Sequence, residues 1–193
     1  MDAAEPIPIV APENEPARVE SRTLEPGAGA FLYSGGALGA YGGGTAFVIA
    51  EISDAVALRP SIAFGESLTD RLRSTLGMAR FDTCVRVPGH YRSGDGIQLD
   101  LCGGLGAGFS YVFGGNEAGG PASSRMLPTI DLGPSVGLRG EIGRFAVTLR
   151  MIGGVAVARD GFDDVNGDRV RPPLFTARYE LVFSWDVKGT RPD

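Results

Sequence analysis

The sequence predicts an all-β protein, specifically a single antiparallel, up-and-down transmembrane β-barrel of about eight strands. Three observations support this fold class. Apolar residues alternate with small or polar residues at period two in segment after segment, helical spacing of apolar residues over three turns is hard to find, and short turns alternate with long loops. The chain of 193 residues has room for one such barrel with a short appendage.

Composition and charge exclude two other classes of protein. A net charge of -5 argues against a nucleic-acid binder, because such a protein needs a basic face to neutralise phosphates. No apolar run approaches the ~18 to 20 residues that a transmembrane helix needs. If the chain crosses a membrane, we expect it to do so with strands.

The two ends of the chain differ in composition from the part between them. Residues 1–27 are rich in proline and glutamate and show no period, which predicts an extended arm outside the barrel. Residues 28–187 form the predicted barrel, and residues 188–193 form a short tail. The first residues lack the basic start and apolar stretch of a secretory signal, so we expect Met1 to be an initiator that replaces a removed signal peptide.

Four segments in the second half of the chain show the alternation most clearly. They cover residues 97–113, 126–142, 145–157 and 174–187. We call each set of alternate positions in a strand a parity, since its side chains point to the same face. In the first segment one parity is mostly leucine and aromatic: Ile97, Leu99, Leu101, Gly103, Leu105, Ala107, Phe109, Tyr111 and Phe113. The other parity is largely glycine and polar. Each segment therefore predicts a strand with one apolar and one polar face.

The first half alternates less regularly, but residues 28–39, 45–53, 56–65 and 76–87 read as four further strands between Gly-, Ser- and Asp-containing turns. Residues 53–55 and 142–144 predict tight turns, whereas residues 114–125 and 159–172 predict long loops. Outer-membrane barrels join short periplasmic turns to longer external loops in this way. The connection 88–96 is longer than this scheme prefers.

The polar parity indicates which face points outward. A water-facing surface would carry many long charged side chains, but this parity is mostly Gly, Ala, Ser and Thr. The same parity also contains a balanced set of acids and arginines, which we interpret as ion pairs in the lumen. They are Arg59, Asp100, Asp131, Arg139, Glu141, Arg150, Arg178 and Glu180. Arg150 with Asp131, or Arg178 with Glu180, are two candidate pairs. The alternative is a secreted soluble barrel or sandwich that buries Leu99, Phe109, Leu132 and Leu149 in a shared core, around a hydrophobic ligand.

With these faces assigned, residues 28–187 resemble the small outer-membrane barrel class typified by OmpA, OmpX and OmpW. The resemblance is one of architecture, without a shared sequence motif. Aromatic residues near strand ends, including Phe113 and Trp185, resemble the interfacial girdles of that class.

Two cysteines fall on neighbouring predicted strands. A hairpin centred on Ser93 places Cys84 directly opposite Cys102, both on the inward parity. This placement and the even cysteine count of an exported protein predict a disulfide, and two buried thiols are the alternative.

An acidic segment in the last long loop carries the one metal candidate. Asp164, Asn166 and Asp168 have the one, three, five spacing of calcium loops. Arg169 and Phe175 stand where an EF-hand-like loop needs glycine and an acid. Two interpretations of the segment therefore stay open, which are an acidic external turn without a metal and a weak calcium site.

The sequence offers little for catalysis. A serine hydrolase needs a base to activate its hydroxyl, and His90, in the 88–96 connection, is the single histidine. A lipid-modifying outer-membrane enzyme that depends on His90 is therefore the third hypothesis. The leading one is a non-catalytic protein without a cofactor, acting in a Gram-negative outer membrane as anchor, scaffold or envelope subunit. Its expected partners are outer-membrane lipid and, through residues 1–27, a periplasmic or envelope protein, with no role for nucleic acid.

Overall fold

The structure is a computed structural model that describes residues 24–36, 39–53, 55–68, 73–89, 96–113, 124–157, 162–163, 169–170 and 173–187. These residues form strands in the following order: β1 Leu24–Gly36, β2 Gly39–Ser53, β3 Val56–Ser67, β4 Arg73–Gly89, β5 Ile97–Phe113, β6 Ser124–Ile142, β7 Phe145–Ala156, β8 Phe162–Asp163, β9 Arg169–Val170 and β10 Phe175–Trp185. Within this described part, no helix is long and apolar enough to span a membrane.

Eight of the strands close into one antiparallel barrel, which confirms the predicted fold class. The order around the barrel is β1, β2, β3, β4, β5, β6, β7 and β10, and β10 pairs with β1 to close the ring. The remaining strands, β8 and β9, pair only with each other inside the long loop predicted between β7 and β10. We call the end that carries the β2–β3 and β6–β7 turns the turn end, and the opposite one the loop end.

The first strand begins earlier than predicted. We expected the barrel to begin at residue 28, but β1 begins at Leu24, and Leu24 also forms a bridge with Val187 beyond the end of β10. Proline usually weakens a strand because it donates no ladder hydrogen bond. Pro26 is tolerated because the ladder with β10 starts only at Gly27, so Pro26 pairs with β2 alone.

The predicted apolar parity faces outward on β5, β6, β7 and β10. Leu132 is 56% exposed, Leu149 60% and Phe109 41%, whereas the inward positions that alternate with them are mostly buried. The soluble alternative, in which these leucines and Phe109 meet in a central core, is therefore wrong. This inside-out pattern is the one expected of a barrel whose wall is solvated by hydrocarbon.

Candidate functional site

The most unusual feature of the barrel is a buried network of charged side chains at mid-height in the lumen. From β4, Arg80 Nε lies 2.9 Å from Asp82 Oδ1, and Arg80 Nη1 lies 3.0 Å from Asp131 Oδ1 on β6. Arg150 Nη2 on β7 lies 2.7 Å from Asp82 Oδ2. All four side chains are almost completely buried, so each charge depends on its partners instead of on water.

Glu180 on β10 joins a second group of arginines to this network. Its carboxylate lies 2.5 Å from Arg178 Nη2, 3.4 Å from Arg59 Nη2 and 3.5 Å from Arg150 Nη1. The guanidinium carbon of Arg59 is also 4.0 Å from the centre of the Phe47 ring, a favourable cation–π distance. Glu180 is only 1% exposed and forms ion pairs with all three arginines, two of which, Arg59 and Arg150, also donate hydrogen bonds to it.

Neutral groups in the wall also accept hydrogen bonds from the arginines. Arg80 Nη2 donates to the Gly133 carbonyl oxygen at 2.7 Å, Arg150 Nη2 to Ser135 Oγ at 2.6 Å, and Arg178 Nη2 to Thr45 Oγ1 at 3.0 Å. Two of these bonds, from β4 to β6 and from β10 to β2, connect strands that are not neighbours in the barrel.

Two glycines on β5 make room for the buried carboxylates. A Cβ at Gly104 would lie 2.0 Å from Asp82 Oδ1, and a Cβ at Gly106 would lie 2.2 Å from Asp131 Oδ1. Any larger residue would therefore displace the acids that accept from Arg80. Crowding by the two acids therefore explains the glycines at 104 and 106 on the polar parity of β5.

A second charged layer lies at the turn end. Arg86 on β4 bonds the Glu51 carboxylate, and Arg139 on β6 lies 2.8 Å from Glu25 and 3.0 Å from Glu141. Glu25 also accepts a hydrogen bond from the hydroxyl of Ser184. This layer is more open than the central one, since the Glu141 side chain is 47% exposed.

The loop end of the lumen is apolar. A buried cluster joins Phe31, Tyr33, Tyr41, Leu76 and Met78, contributed by β1, β2 and β4. Ser74 Oγ donates to Tyr41 Oη at 2.9 Å, which satisfies one of the hydroxyls. The described lumen therefore has an apolar layer, a dense ionic layer and a mixed ionic layer. Side chains fill the first two, whereas a cavity of about 200 Å³ lies in the third, at the turn end, among Glu25, Glu51, Arg139 and Glu141.

The predicted disulfide is present. Cys84 on β4 is the direct ladder partner of Cys102 on β5, and their Sγ atoms are bonded with the Cα atoms 4.0 Å apart. Both residues are buried on the inward parity, as the hairpin register predicted. The bond joins the two strands between the central and the turn-end ionic layers.

The structure also locates the charged residues singled out in the sequence. Their side chains lie in the lumen, apart from Glu141 at the exposed turn end, and Arg178 lies beside Glu180 as one candidate pair required. The other candidate pair does not form: Arg150 bonds Asp82 and Glu180, and Asp131 bonds Arg80. In the β6–β7 ladder Arg150 lies opposite Gly137, six positions from Asp131, so the two side chains are at different heights.

Sequence reasoning missed five members of the network, four on the predicted strands of the first half, which alternate less regularly, and one in the predicted arm. They are Glu25, Glu51, Arg80, Asp82 and Arg86. A signal was available, because Arg80, Asp82 and Arg86 share the parity of Cys84, which was already placed inward.

Two of the predicted sites lie outside the described residues. The calcium candidates Asp164, Asn166 and Asp168 and the histidine His90 all fall there. Among the residues that the structure does describe, no group of three or more His, Cys, Asp or Glu side chains could hold a metal ion. Calcium binding by the acidic loop stays a prediction.

Comparison with solved structures shows which class of protein has this fold. The barrel is similar to Neisserial surface protein A, with a TM-score of 0.53 at 11% identity over 85% of this chain and 96% of that one. It is also similar to a major outer membrane protein from Thermus thermophilus, with a TM-score of 0.58 at 11% identity over 86% and 100% of the two chains.

A third similar structure is Ail, the attachment invasion locus protein of Yersinia pestis, solved in complex with the heparin analogue sucrose octasulfate. Its TM-score is 0.50 at 12% identity, over 86% of this chain and 98% of that one. No protein-family model and no curated protein matches the chain. The fold is thus that of the small eight-stranded outer-membrane barrels, and at these identities the likeness concerns the fold alone.

Proposed function

We propose that this chain is a non-catalytic barrel of a Gram-negative outer membrane, serving as anchor, scaffold or subunit of an envelope assembly. The observation that supports this most directly is the inverted arrangement of polarity. Ionic side chains are buried in the lumen while leucine, valine and aromatic side chains cover the wall. In water that wall would be a large exposed apolar surface, whereas in a bilayer it contacts hydrocarbon.

Strand length and the placement of aromatic residues agree with a bilayer. The barrel strands have 11 to 19 residues, and a transmembrane strand needs about 9 to 11. Exposed aromatics lie near both ends of the wall, with Phe145 and Trp185 at the turn end and Phe113 at the loop end. Aromatic side chains are favoured at the two membrane–water interfaces.

The filled lumen favours a structural role over that of a pore. Arg150 and Glu180 close the middle of the lumen, and Tyr33 and Tyr41 close the loop end, each being at most 1% exposed. A solute would have to displace paired buried charges, which is costly. We therefore propose that the protein acts through the outer surface of its wall and through its two ends, and not by passing solutes through the lumen.

The N-terminal arm supplies a surface for partners. β1 enters the barrel at the turn end, and in outer-membrane barrels the short turns face the periplasm. Residues 1–23 precede β1 and are rich in Pro and Glu, a composition typical of linkers and binding segments. We therefore propose a periplasmic or envelope protein as the partner of the arm, and lipid as the partner of the wall.

Membrane insertion is tested by cell fractionation and by gel migration. We expect the protein to stay in the membrane pellet until detergent is added, and to migrate faster on an SDS gel before boiling than after it. Recovery in the aqueous fraction, with one mobility regardless of heating, would contradict the proposal.

The structural role is tested in reconstituted membranes and in cells. We expect no steady ion current in planar bilayers and no change in lipid composition when the protein is added to outer-membrane vesicles. Hydrolysis of lipid that disappears on His90→Ala would instead establish the enzyme hypothesis. Deletion of residues 2–23 should leave heat-dependent migration intact but remove cross-links to periplasmic proteins, and unchanged cross-links would refute the role of the arm.

A further inference from the structure

The disulfide lies in the β4–β5 hairpin, whose connection is longer than those of the other two hairpins at the turn end. Two residues, 54–55, separate β2 from β3, and two, 143–144, separate β6 from β7. Seven residues, 90–96, separate β4 from β5. A two-residue turn fixes the register of a hairpin, whereas a long connection leaves it open. The register of β4 against β5 must therefore be set by something other than the connection.

The inward parity of β5 does not set this register either. In the ladder Asp82 lies opposite Gly104 and Arg80 opposite Gly106, and the next inward position on β5 is Gly108. If β4 slipped by two residues, Asp82 would lie opposite Gly106 and Arg80 opposite Gly108, so both would again meet a glycine. A slip of two residues also keeps every side chain on its own face. Glycine-rich strands of this kind specify their register weakly.

The ionic network requires the native register, but it can select that register only after the barrel has closed. Arg80 bonds Asp131 on β6, and Asp82 bonds Arg150 on β7. A slip of two residues moves β4 by about 7 Å along β5 and would separate both pairs. In a β4–β5 hairpin without its neighbours, Asp131 and Arg150 are not yet in place. These ion pairs therefore cannot align the hairpin before it joins the rest of the sheet.

The disulfide distinguishes the two registers in the hairpin itself. Cys84 and Cys102 are direct ladder partners, and their Cα atoms are 4.0 Å apart. After a slip of two residues these Cα atoms would be about 8 Å apart, which is beyond the ~7 Å that a disulfide can span. The bond therefore holds the hairpin in the one alignment that places Gly104 against Asp82.

The two cysteines are shielded once the barrel has closed. Cys84 is 4% exposed and Cys102 is 8% exposed, and both point into the lumen between the central and the turn-end ionic layers. Arg86, two positions from Cys84 towards the turn end, is itself buried and bonds the Glu51 carboxylate. An enzyme that oxidises thiols must bring its own disulfide into contact with them. Oxidation must therefore precede closure of the barrel.

We infer that this disulfide sets the register of the barrel: it is formed in the periplasm, while the hairpin is still open, and aligns β4 with β5 before insertion. The inference rests on the proposed outer-membrane location, because the periplasm is an oxidising compartment. The oxidant is a thiol–disulfide oxidoreductase. One cysteine thiolate attacks the enzyme's disulfide to give a mixed disulfide, and the other thiolate then displaces the enzyme. The two protons and two electrons of the cysteine thiols end on the two thiols of the reduced enzyme.

The first test measures the register directly. The serine variant, which carries Cys84→Ser and Cys102→Ser, is folded into detergent micelles, and nuclear Overhauser contacts between backbone protons of β4 and β5 identify the ladder partners. We expect the wild-type protein to show one set of contacts, with Thr83 opposite Gly103. The serine variant should show a second set displaced by two residues, with Thr83 opposite Leu105. A single native set in the serine variant would overturn the inference.

Two transplanted disulfides separate an effect on register from an effect on stability. Val85→Cys with Leu101→Cys, added to the serine variant, links outward ladder partners of β4 and β5 and should restore the single native set. Leu138→Cys with Leu149→Cys links outward ladder partners of β6 and β7, whose tight turn already fixes their register, and it should leave the second set in place. Rescue by both bonds, or by neither, would contradict a role in register.

The same two bonds decide the outcome if the serine variant forms no barrel at all. The readout is then the heat-dependent migration on an SDS gel, which the bond between positions 85 and 101 should restore and the bond between positions 138 and 149 should not. Equal migration of the two proteins would count against the inference.

The order of oxidation and closure is tested on the wild-type chain. Reduced protein is either folded into micelles or kept open by dilution from urea into buffer without detergent, and each sample is mixed with a purified thiol–disulfide oxidoreductase. We expect oxidation of the closed barrel to be at least about tenfold slower, because the exchange requires access to the thiols. Equal rates would refute the proposed order.

Failure of this inference can be told apart from failure of the proposed function. A protein recovered in the aqueous fraction of cells refutes the membrane location, whatever its register. A membrane-inserted barrel that keeps one register without its disulfide refutes the role of the disulfide alone.

Discussion

Glu180→Gln is the most informative single change to the lumen. The substitution keeps the size of the side chain but removes the negative charge shared by Arg178, Arg150 and Arg59. Arg150 retains Asp82 at 2.7 Å. Among the described residues, Arg59 has no other ion-pair partner. Removing one partner of a buried ion pair typically costs about 3–5 kcal/mol, so we expect the free energy of unfolding to fall by about 3 kcal/mol, since glutamine still accepts a hydrogen bond.

The assay is urea unfolding in lipid vesicles, followed by the fluorescence of Trp185 on the outer wall. Glu66→Gln is the matched control, because Glu66 is exposed on β3 and its neutralisation should cost less than about 0.5 kcal/mol. Adding Arg59→Met to Glu180→Gln removes the cation left without a partner, so the double variant should recover at least about 1 kcal/mol. A loss below about 1 kcal/mol for Glu180→Gln, or no recovery in the double variant, would refute the account of the network as mutually dependent charges.

Three further changes probe the disulfide, the wall and a turn. Replacing Cys84 and Cys102 by serine opens a loop with a sequence separation of 18 and should cost about 3 kcal/mol in the same unfolding assay, with a loss near zero counting against a structural bond. Leu149→Arg puts a charge at the outer wall and should cost about 2–4 kcal/mol in vesicles, and a neutral effect would argue that this face is not in hydrocarbon. Gly143→Ala in the β6–β7 turn, where φ is +63°, should cost about 1 kcal/mol, whereas Gly140→Ala, with open space for its Cβ, should cost markedly less. Equal costs at the two glycines would show that backbone conformation is not the cause.

The sequence predicted the fold where the alternation was strong. β5 begins and ends at the predicted residues, because leucines and aromatics on one parity contrast with glycines and mostly polar residues on the other. β1 was placed four residues late, since the Glu- and Pro-rich composition of the preceding segment resembles a linker. Composition could not reveal that Glu25 turns inward to meet Arg139.

The sequence predicted which charged residues enter the lumen better than it predicted which of them pair with each other. Parity decides whether a side chain enters the lumen, which is why Arg178 and Glu180 were placed there. Partners across the lumen depend on strand tilt and register, which no local pattern encodes. Arg150 on β7 meets Asp82 on β4, a strand that is three positions away around the barrel.

These cross-lumen pairs have a consequence for how the barrel enters a bilayer. Arg80 and Asp131, Arg150 and Asp82, and Arg59 and Glu180 each find their partner only when distant arcs of the sheet have curled together. In a partly inserted, still open sheet Arg80 would keep Asp82 and Arg150 would keep Glu180, but Arg59 would have lost its ion-pair partner and would face lipid tails with its charge not neutralised. Curling, charge neutralisation and insertion should therefore occur as one concerted event, and intermediates that have crossed the membrane without closing should be too sparsely populated to detect.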